Sequence, residues 1–319
     1  MKHFTVEDID LRRYRPEIEL QVVGGSRPRL TLIHRKQKTK YIFKTYTHDS
    51  REVWAESLAS HLGPIFGIDV QRVVIKSSSP ELTKVLRGAV PDIPTDWKPI
   101  GTLARNIFPR GQEINYGASI VQELSKPLPL EEIERRIGQR YYAPEDLLQR
   151  FAQMIVFDAL IGNMDRHHEN WGIVETVKYK QLVLFDKKRL KEGRQFTPLY
   201  DHGSSLMFEL DESIVRRYLK NEKEFIDVYV KGKPYSFVCL PDGKRANIFQ
   251  VIEYHTGHRT DWGKRFIKEI KNLDGVSLLE IAKAIAKMPN TKHIDYTEDR
   301  KELLLRSILL RIDLLRSMV

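Results

Sequence analysis

Asp165 and Asn170 stand five residues apart in the run Gly162-Asn163-Met164-Asp165-Arg166-His167-His168-Glu169-Asn170-Trp171. That pair has a use in phosphoryl transfer. The carboxylate accepts the proton of an attacking hydroxyl, and the amide oxygen coordinates a magnesium ion that bridges phosphates. A second acid, Asp201, follows in Pro198-Leu199-Tyr200-Asp201-His202-Gly203-Ser204-Ser205-Leu206, two residues before a glycine, in a setting that suits a metal ligand. An aspartate at such a strand-to-turn junction also serves as an ordinary turn or cap residue.

The N-terminal region offers the groups that hold a nucleotide. Gly24-Gly25-Ser26 interrupts two strand-like runs, and glycines there let backbone amides approach a phosphate. Lys44 lies on the next strand-like run, where it can hold the α- and β-phosphates, and Glu56 follows twelve residues later on a helix, placed to pair with it. Each has a plainer reading: a hairpin turn, a solvated strand lysine, and a glutamate facing water. At 100° per residue Glu56 lies nearly opposite Trp54, Leu58 and Leu62, yet its neighbours Ala59 and Ser60 are small enough for close approach across a cleft.

Other chemistries fit less well. Asp165, His167, His168 and His202 do not form a zinc pattern, because adjacent histidines point apart and no H-x-x-x-H or H-E-x-x-H helix is present. Ser204-Ser205 lacks the G-x-S-x-G context of a nucleophile elbow. Asp158, inside an apolar helix, reads as a structural carboxylate that caps the loop after it.

These residues need elements to position them. Ile18, Leu20 and Val22 alternate with polar residues, Leu30 to Ile33 resume after the glycines, and Tyr41 to Tyr46 is rich in aromatic and branched residues: three strands. From Arg51 the period changes, and Trp54, Leu58, Leu62 and Ile65 predict a helix ended by Gly67. Val70 and Val73 to Ile75 predict a further strand, closed by the turn-rich Ser77-Ser78-Ser79-Pro80, and the prolines at 91, 94 and 99 suggest a surface connection. Residues 145–161 form the clearest helix, with Pro144 at its start, Glu145 and Asp146 at its positive end and Gly162 at its stop. It is apolar almost all round from Met154 to Ile161, so it is expected to be buried. Gln181 to Phe185 reads as a strand, and 211–319 as largely helical.

A hydrophobic fraction of 41% supplies a real core, and the single cysteine, Cys239, excludes an internal disulfide or a cysteine zinc cluster. No apolar run is long enough to span a bilayer, and MKHFTVEDIDLRRYRPE has no apolar signal region, so a cytoplasmic protein is expected. The net charge of +10 favours polyanionic partners, but the basic residues are dispersed and no DNA-reading motif stands out, so direct nucleic-acid binding is not indicated.

In chain order, a glycine turn, a strand lysine, a helix glutamate, an Asp–Asn loop and a late aspartate match the parts of a protein kinase, which uses the same Asp-to-Asn spacing but sets its basic residues before the aspartate. FDALIGNMDRHHENWGIV resembles the catalytic loop of the bacterial HipA-like kinases, PLYDHGSSL their metal-binding aspartate loop, AESLASHLGPIFGI their N-lobe helix, and GTLARNIFPRGQEINYG a hinge segment of some members. The resemblance touches residues about 20–206. It implies an α+β, two-lobed protein-kinase-like fold: a small antiparallel-sheet N-lobe (1–102), a hinge (103–110) and a mainly helical C-lobe (111–319) carrying the catalytic loop 162–172 and the metal loop 198–206. It further implies ATP and Mg2+ as cofactors and phosphorylation of a protein on Ser or Thr. Asp165 would then be the base, Asn170 and Asp201 metal ligands, Lys44 a phosphate holder, His167 a neighbour of the nucleotide, and Ile107 and Phe108 the adenine's wall. A toxin or effector role with an antitoxin or regulatory partner is implied too, as is self-phosphorylation of Ser26. The chain departs from the family's Ser-Gly-x-Gln-x-Lys glycine loop, carrying Val23-Gly24-Gly25-Ser26-Arg27-Pro28-Arg29 instead. The segment in front of that loop is expected to be too short for the extra N-terminal subdomain of full-length HipA. Two other readings stay open from the residues: a kinase of a lipid or small-molecule hydroxyl, and a catalytically silent binding module.

Overall fold

The structure is a computed structural model that describes residues 7–17, 29–45, 51–89, 100–107, 112–122, 126–176, 193–235, 237–288 and 296–319. The expected strand at 18–22, the turn at Gly24, Gly25 and Ser26, Phe108 and the expected strand at 181–185 lie outside these residues.

An antiparallel five-stranded sheet forms the N-terminal part, in the order β1 (Tyr14–Pro16), β2 (Arg29–His34), β3 (Lys40–Thr45), β5 (Ile100–Arg105) and β4 (Val73–Ser77). Period-two alternation decides its two faces. Leu30, Leu32, Phe43 and Leu103 fall on one face and are sealed by Ile9 and by Leu82 and Leu86 of α2 (Pro80–Ala89). The other face carries Lys44, which pairs in register with Arg29 on β2 and Thr102 on β5. Helix α1 (Glu52–Ile65) packs against β4 and β5 and ends, as the glycine predicts, before Gly67 at φ 69°. Two expectations shift here. Ser77 closes β4 and Pro80 opens a helix, so the serine run is a strand end and a helix start; proline suits a first helical turn because its missing N–H has no partner there anyway. Val70 stands apart from β4 and bridges Leu199.

The remainder is mostly helical. A second sheet, β6 (Gln112–Tyr116), β8 (Gly172–Thr176) and β9 (Arg194–Phe196), is antiparallel, and β7 (Leu128–Pro129) pairs with β10 (Val238–Cys239). After α3 (Gly117–Val121) and α4 (Leu130–Arg140) comes α5 (Glu145–Ile161), whose bounds are those the sequence predicts. It is buried along most of its length and packs on α7 (Ile248–Gly257), α8 (Asp261–Lys271) and α10 (Glu298–Arg316), with α6 (Glu212–Lys220) and α9 (Leu278–Ala286) outside them. Trp171 stacks on Phe196 at 5.8 Å, so close to α3 that a Cβ on Gly117 would lie 2.1 Å from its ring. Residues 103–105, the start of the expected hinge, are strand residues of β5, and 106–107 follow it.

The candidate active site

Lys44 stands where the two parts meet. Its ammonium donates to Glu56 Oε1 at 3.0 Å and to Asp201 Oδ1 at 2.6 Å, which ties β3, α1 and the loop after β9 together. Glu56 is 5% exposed. Of the two placements open from the sequence, the structure has it facing the cleft: the small residues on its side of α1 let the sheet and the 201–203 turn come close, and its second oxygen accepts the His202 N–H at 3.3 Å. Burial raises the Glu56 pKa, and Lys44 opposes that. At Asp201 burial pushes the same way but loses: Lys44, Arg29 and Arg166 hold this carboxyl well below the usual range, so it stays ionised. Asp201 also sits at φ 59°, in the left-handed region that costs a residue with a Cβ about 1 kcal/mol or more. Strain of that kind persists only where surrounding contacts hold it, and here they aim a carboxylate into the cleft.

The Asp165 loop is built from the end of α5. Gly162, at φ 67°, closes the helix with its N–H on the Asp158 carbonyl, and a Cβ there would come within 2.8 Å of the Arg311 guanidinium, which itself donates to the Ala159 carbonyl at 3.0 Å. Asp158, fully buried, accepts four hydrogen bonds: from Asn163 Nδ2 (3.1 Å), Arg166 Nε (2.9 Å), Arg166 Nη2 (2.7 Å) and the Tyr235 hydroxyl (2.7 Å). Arg166 then reaches onward. Its Nη1 donates to the carbonyls of Asn170 (3.0 Å) and Tyr200 (2.8 Å), and its Nη2 lies 3.2 Å from His202 Nδ1. Burial and the Arg166 charge push the His202 pKa well down, so the ring is neutral and Nδ1 accepts. One buried ion pair thus fixes both loops, at Asn170 and on either side of Asp201.

Asp165 is exposed at the cleft, accepting from the Ser204 hydroxyl at 3.4 Å, while the Asn163 side chain receives its backbone N–H at 3.3 Å. Asn170 is buried in the same loop, its N–H on the His167 carbonyl. The structure brings Lys44, Glu56 and Asp201 into direct contact and joins the Asp165 and Asp201 loops through Ser204 and Arg166. His167 turns its Nδ1 to the Glu169 N–H at 3.3 Å with the ring partly exposed, and Ile107, half-buried, follows β5. His168 points inward instead, 4.7 Å from the Phe237 ring. Asp158 has the structural place expected of it. Arg166 and Tyr235 are the residues that sequence reasoning left without a role. Arg166 offered a signal, standing eight residues beyond a buried helix aspartate; Tyr235 offered none.

A carboxylate and an amide oxygen are hard donors that suit magnesium, and an ionised Asp201 beside Lys44 suits a bridged phosphate. No family model matches the chain. A segment of 115 residues, 36% of this chain, is 27% identical to the serine/threonine-protein kinase CtkA of Helicobacter pylori and spans only 31% of that protein. The crystal structure of the H. pylori proinflammatory kinase CtkA superposes with a TM-score of 0.72 at 18% identity, covering 96% of both chains. HipA of Shewanella oneidensis, solved with HipB and its operator DNA, superposes with a TM-score of 0.53 at 13% identity, covering 99% of this chain and 67% of HipA. The chain thus has the two-lobed kinase-like fold of CtkA and HipA, and a stretch of its sequence is similar to CtkA.

Proposed function

We propose that the chain is an ATP- and magnesium-dependent kinase that moves the γ-phosphoryl group to a Ser or Thr hydroxyl of a protein. The observation that carries this is the Lys44 bridge between Glu56 and Asp201, a lysine–glutamate pair and a metal-type aspartate assembled from three distant parts of the chain. The nucleotide, bound with magnesium, supplies the phosphoryl group. Asp201 Oδ and the Asn170 amide oxygen would hold the metal, and Lys44, kept in place by Glu56, would hold phosphate oxygens. Asp165 Oδ accepts the proton of the acceptor hydroxyl, and Ser204, bonded to that carboxylate, orients it. Arg166 keeps the two loops at a fixed separation, so that base and metal ligands face one reacting centre.

In the same reading Gly24, Gly25 and Ser26 approach the phosphates, Ile107 and Phe108 border the adenine, and His167 lies near the nucleotide. Residues 1–102, 103–110 and 111–319 serve as N-lobe, hinge and C-lobe. A regulatory protein of antitoxin type is the partner that the HipA neighbour suggests. Among the described residues no helix is long and apolar enough to cross a membrane, and a cytoplasmic site of action is part of the proposal.

The test is incubation of the protein with γ-labelled ATP, magnesium and a bacterial lysate, followed by identification of the labelled species. A labelled polypeptide that disappears with Asp165→Asn is expected. Label transfer that survives Asp165→Asn would remove the base assignment, and a folded protein with no Mg-nucleotide binding would remove the kinase reading.

A further inference from the structure

We propose that Arg29 is a second phosphate-holding cation of the cleft, acting beside Lys44 on the nucleotide; the proposal rests on the kinase reading above. Arg29 and Lys44 are directly paired across β2 and β3, so their side chains leave the same face of the sheet as close neighbours. The guanidinium is near enough to Asp201, Tyr200 and Tyr116 to draw the pKa of each downward. Its strand partner Lys44 bonds Asp201, so the Arg29 side chain leaves the sheet on the side of the turn that holds Asp201.

A strand arginine ordinarily lays its stem on apolar surface and sends its head to water or to a carboxylate. Arg29 departs from this at its Nε. It is half-buried, its Nε is buried without a hydrogen-bond partner, and among the described residues no carboxylate pairs with it. The two tyrosines beside it carry no charge, since burial raises both hydroxyl pKa values. The anion nearest in kind, Asp201, is already bonded to Lys44 at 2.6 Å. A buried guanidinium N–H without an acceptor is costly, and an oxyanion with several lone pairs is the chemistry that relieves it.

Lys44 needs the help. Its single ammonium faces two carboxylates, Glu56 and Asp201, and Asp165 adds a third negative charge to the cleft. With magnesium at Asp201, Lys44 would still share its one charge with Glu56 when it meets the phosphate oxygens. Arg29 offsets that, and its planar fork can take two oxygens of one phosphate or bridge two phosphates, which an ammonium cannot.

Titration calorimetry of wild type, Arg29→Gln and Arg29→Lys with Mg-ADP, and with adenosine as the phosphate-free probe, tests it. Arg29→Gln should weaken Mg-ADP about tenfold and leave adenosine unchanged, with Arg29→Lys in between. Equal Mg-ADP affinity in wild type and Arg29→Gln overturns the proposal while leaving the kinase reading intact, as does an equal loss for both ligands. Should Arg29→Gln fail to fold, Arg29→Lys decides: a loss of about threefold or more for Mg-ADP alone supports the role, and no change overturns it. A folded wild type that binds neither Mg-ADP nor Mg-ATP removes the kinase reading itself, and this proposal with it.

Discussion

Asp165 and Asp201 are two carboxylates with different surroundings, and the difference predicts different losses. Asp165 is exposed and among the described residues bonds Ser204 and its own loop, so Asp165→Asn should keep the nucleotide site. Turnover should fall about a hundredfold or more, with Mg-nucleotide affinity within a few-fold of wild type, measured by steady-state kinetics beside calorimetry. Asp201 is the counter-charge of Lys44 and the proposed metal ligand. Asp201→Ala should therefore lose magnesium-dependent nucleotide affinity as well as rate. Equal, rate-only losses in both variants would contradict the metal role. Asp165, Asn170 and Asp201 were legible as candidates in the sequence because each stands in a short local run whose residue types suit the proposed chemistry. The side Glu56 takes was not: its helix is buried nearly all round, and a period that finds one apolar stripe cannot see the second face pressed against a sheet and a turn.

At the scale of elements, the join between α5 and the Asp165 loop is the part with the least freedom. Gly162 combines a left-handed backbone with an arginine at its back. Gly162→Ala should destabilise by about 1–3 kcal/mol in urea unfolding, and should lower turnover beyond what that loss explains, because Arg311 must leave the Ala159 carbonyl. Helix α5 itself was readable to the residue, since length, acidic first turn and glycine stop agree. Helix α2 was not read: its Ser-Pro start looks like a turn, and only the sheet face it covers gives its leucines a reason. The spacing of Arg166 from Asp158 hinted at that one pairing, but its full role was not legible for a different cause. Its partners lie at 158, 170, 200 and 202, and no local pattern reports contacts over such separations.

Across the whole molecule, α1 belongs to the same core as α5, with Phe66 packed edge-on to Phe157 at 6.3 Å, although it is counted with the small lobe. One cooperative unfolding transition is expected by calorimetry, and two separated transitions would show that the lobes fold apart. Stability should also depend on pH through His202. Its folded pKa is depressed, so below the unfolded value of about 6.5 the unfolded chain binds a proton that the folded one refuses. Stability should therefore be level above about pH 6.5 and fall by up to about 1.4 kcal/mol per pH unit below it. His202→Gln should flatten that slope in urea titrations at several pH values. The Lys44–Asp201 bond has a last consequence, for the order in which ligands arrive. In the resting protein each of these groups occupies the other, so under the proposed function entry would be an exchange: a metal held by Asp201 would displace Lys44, and a phosphate held by Lys44 would displace Asp201. Either ligand alone strands one charge; together they satisfy both. Magnesium and nucleotide should thus bind with positive cooperativity, and linkage requires each to raise the other's affinity by the same factor. Replacing Lys44 with Ala should shrink that factor towards one.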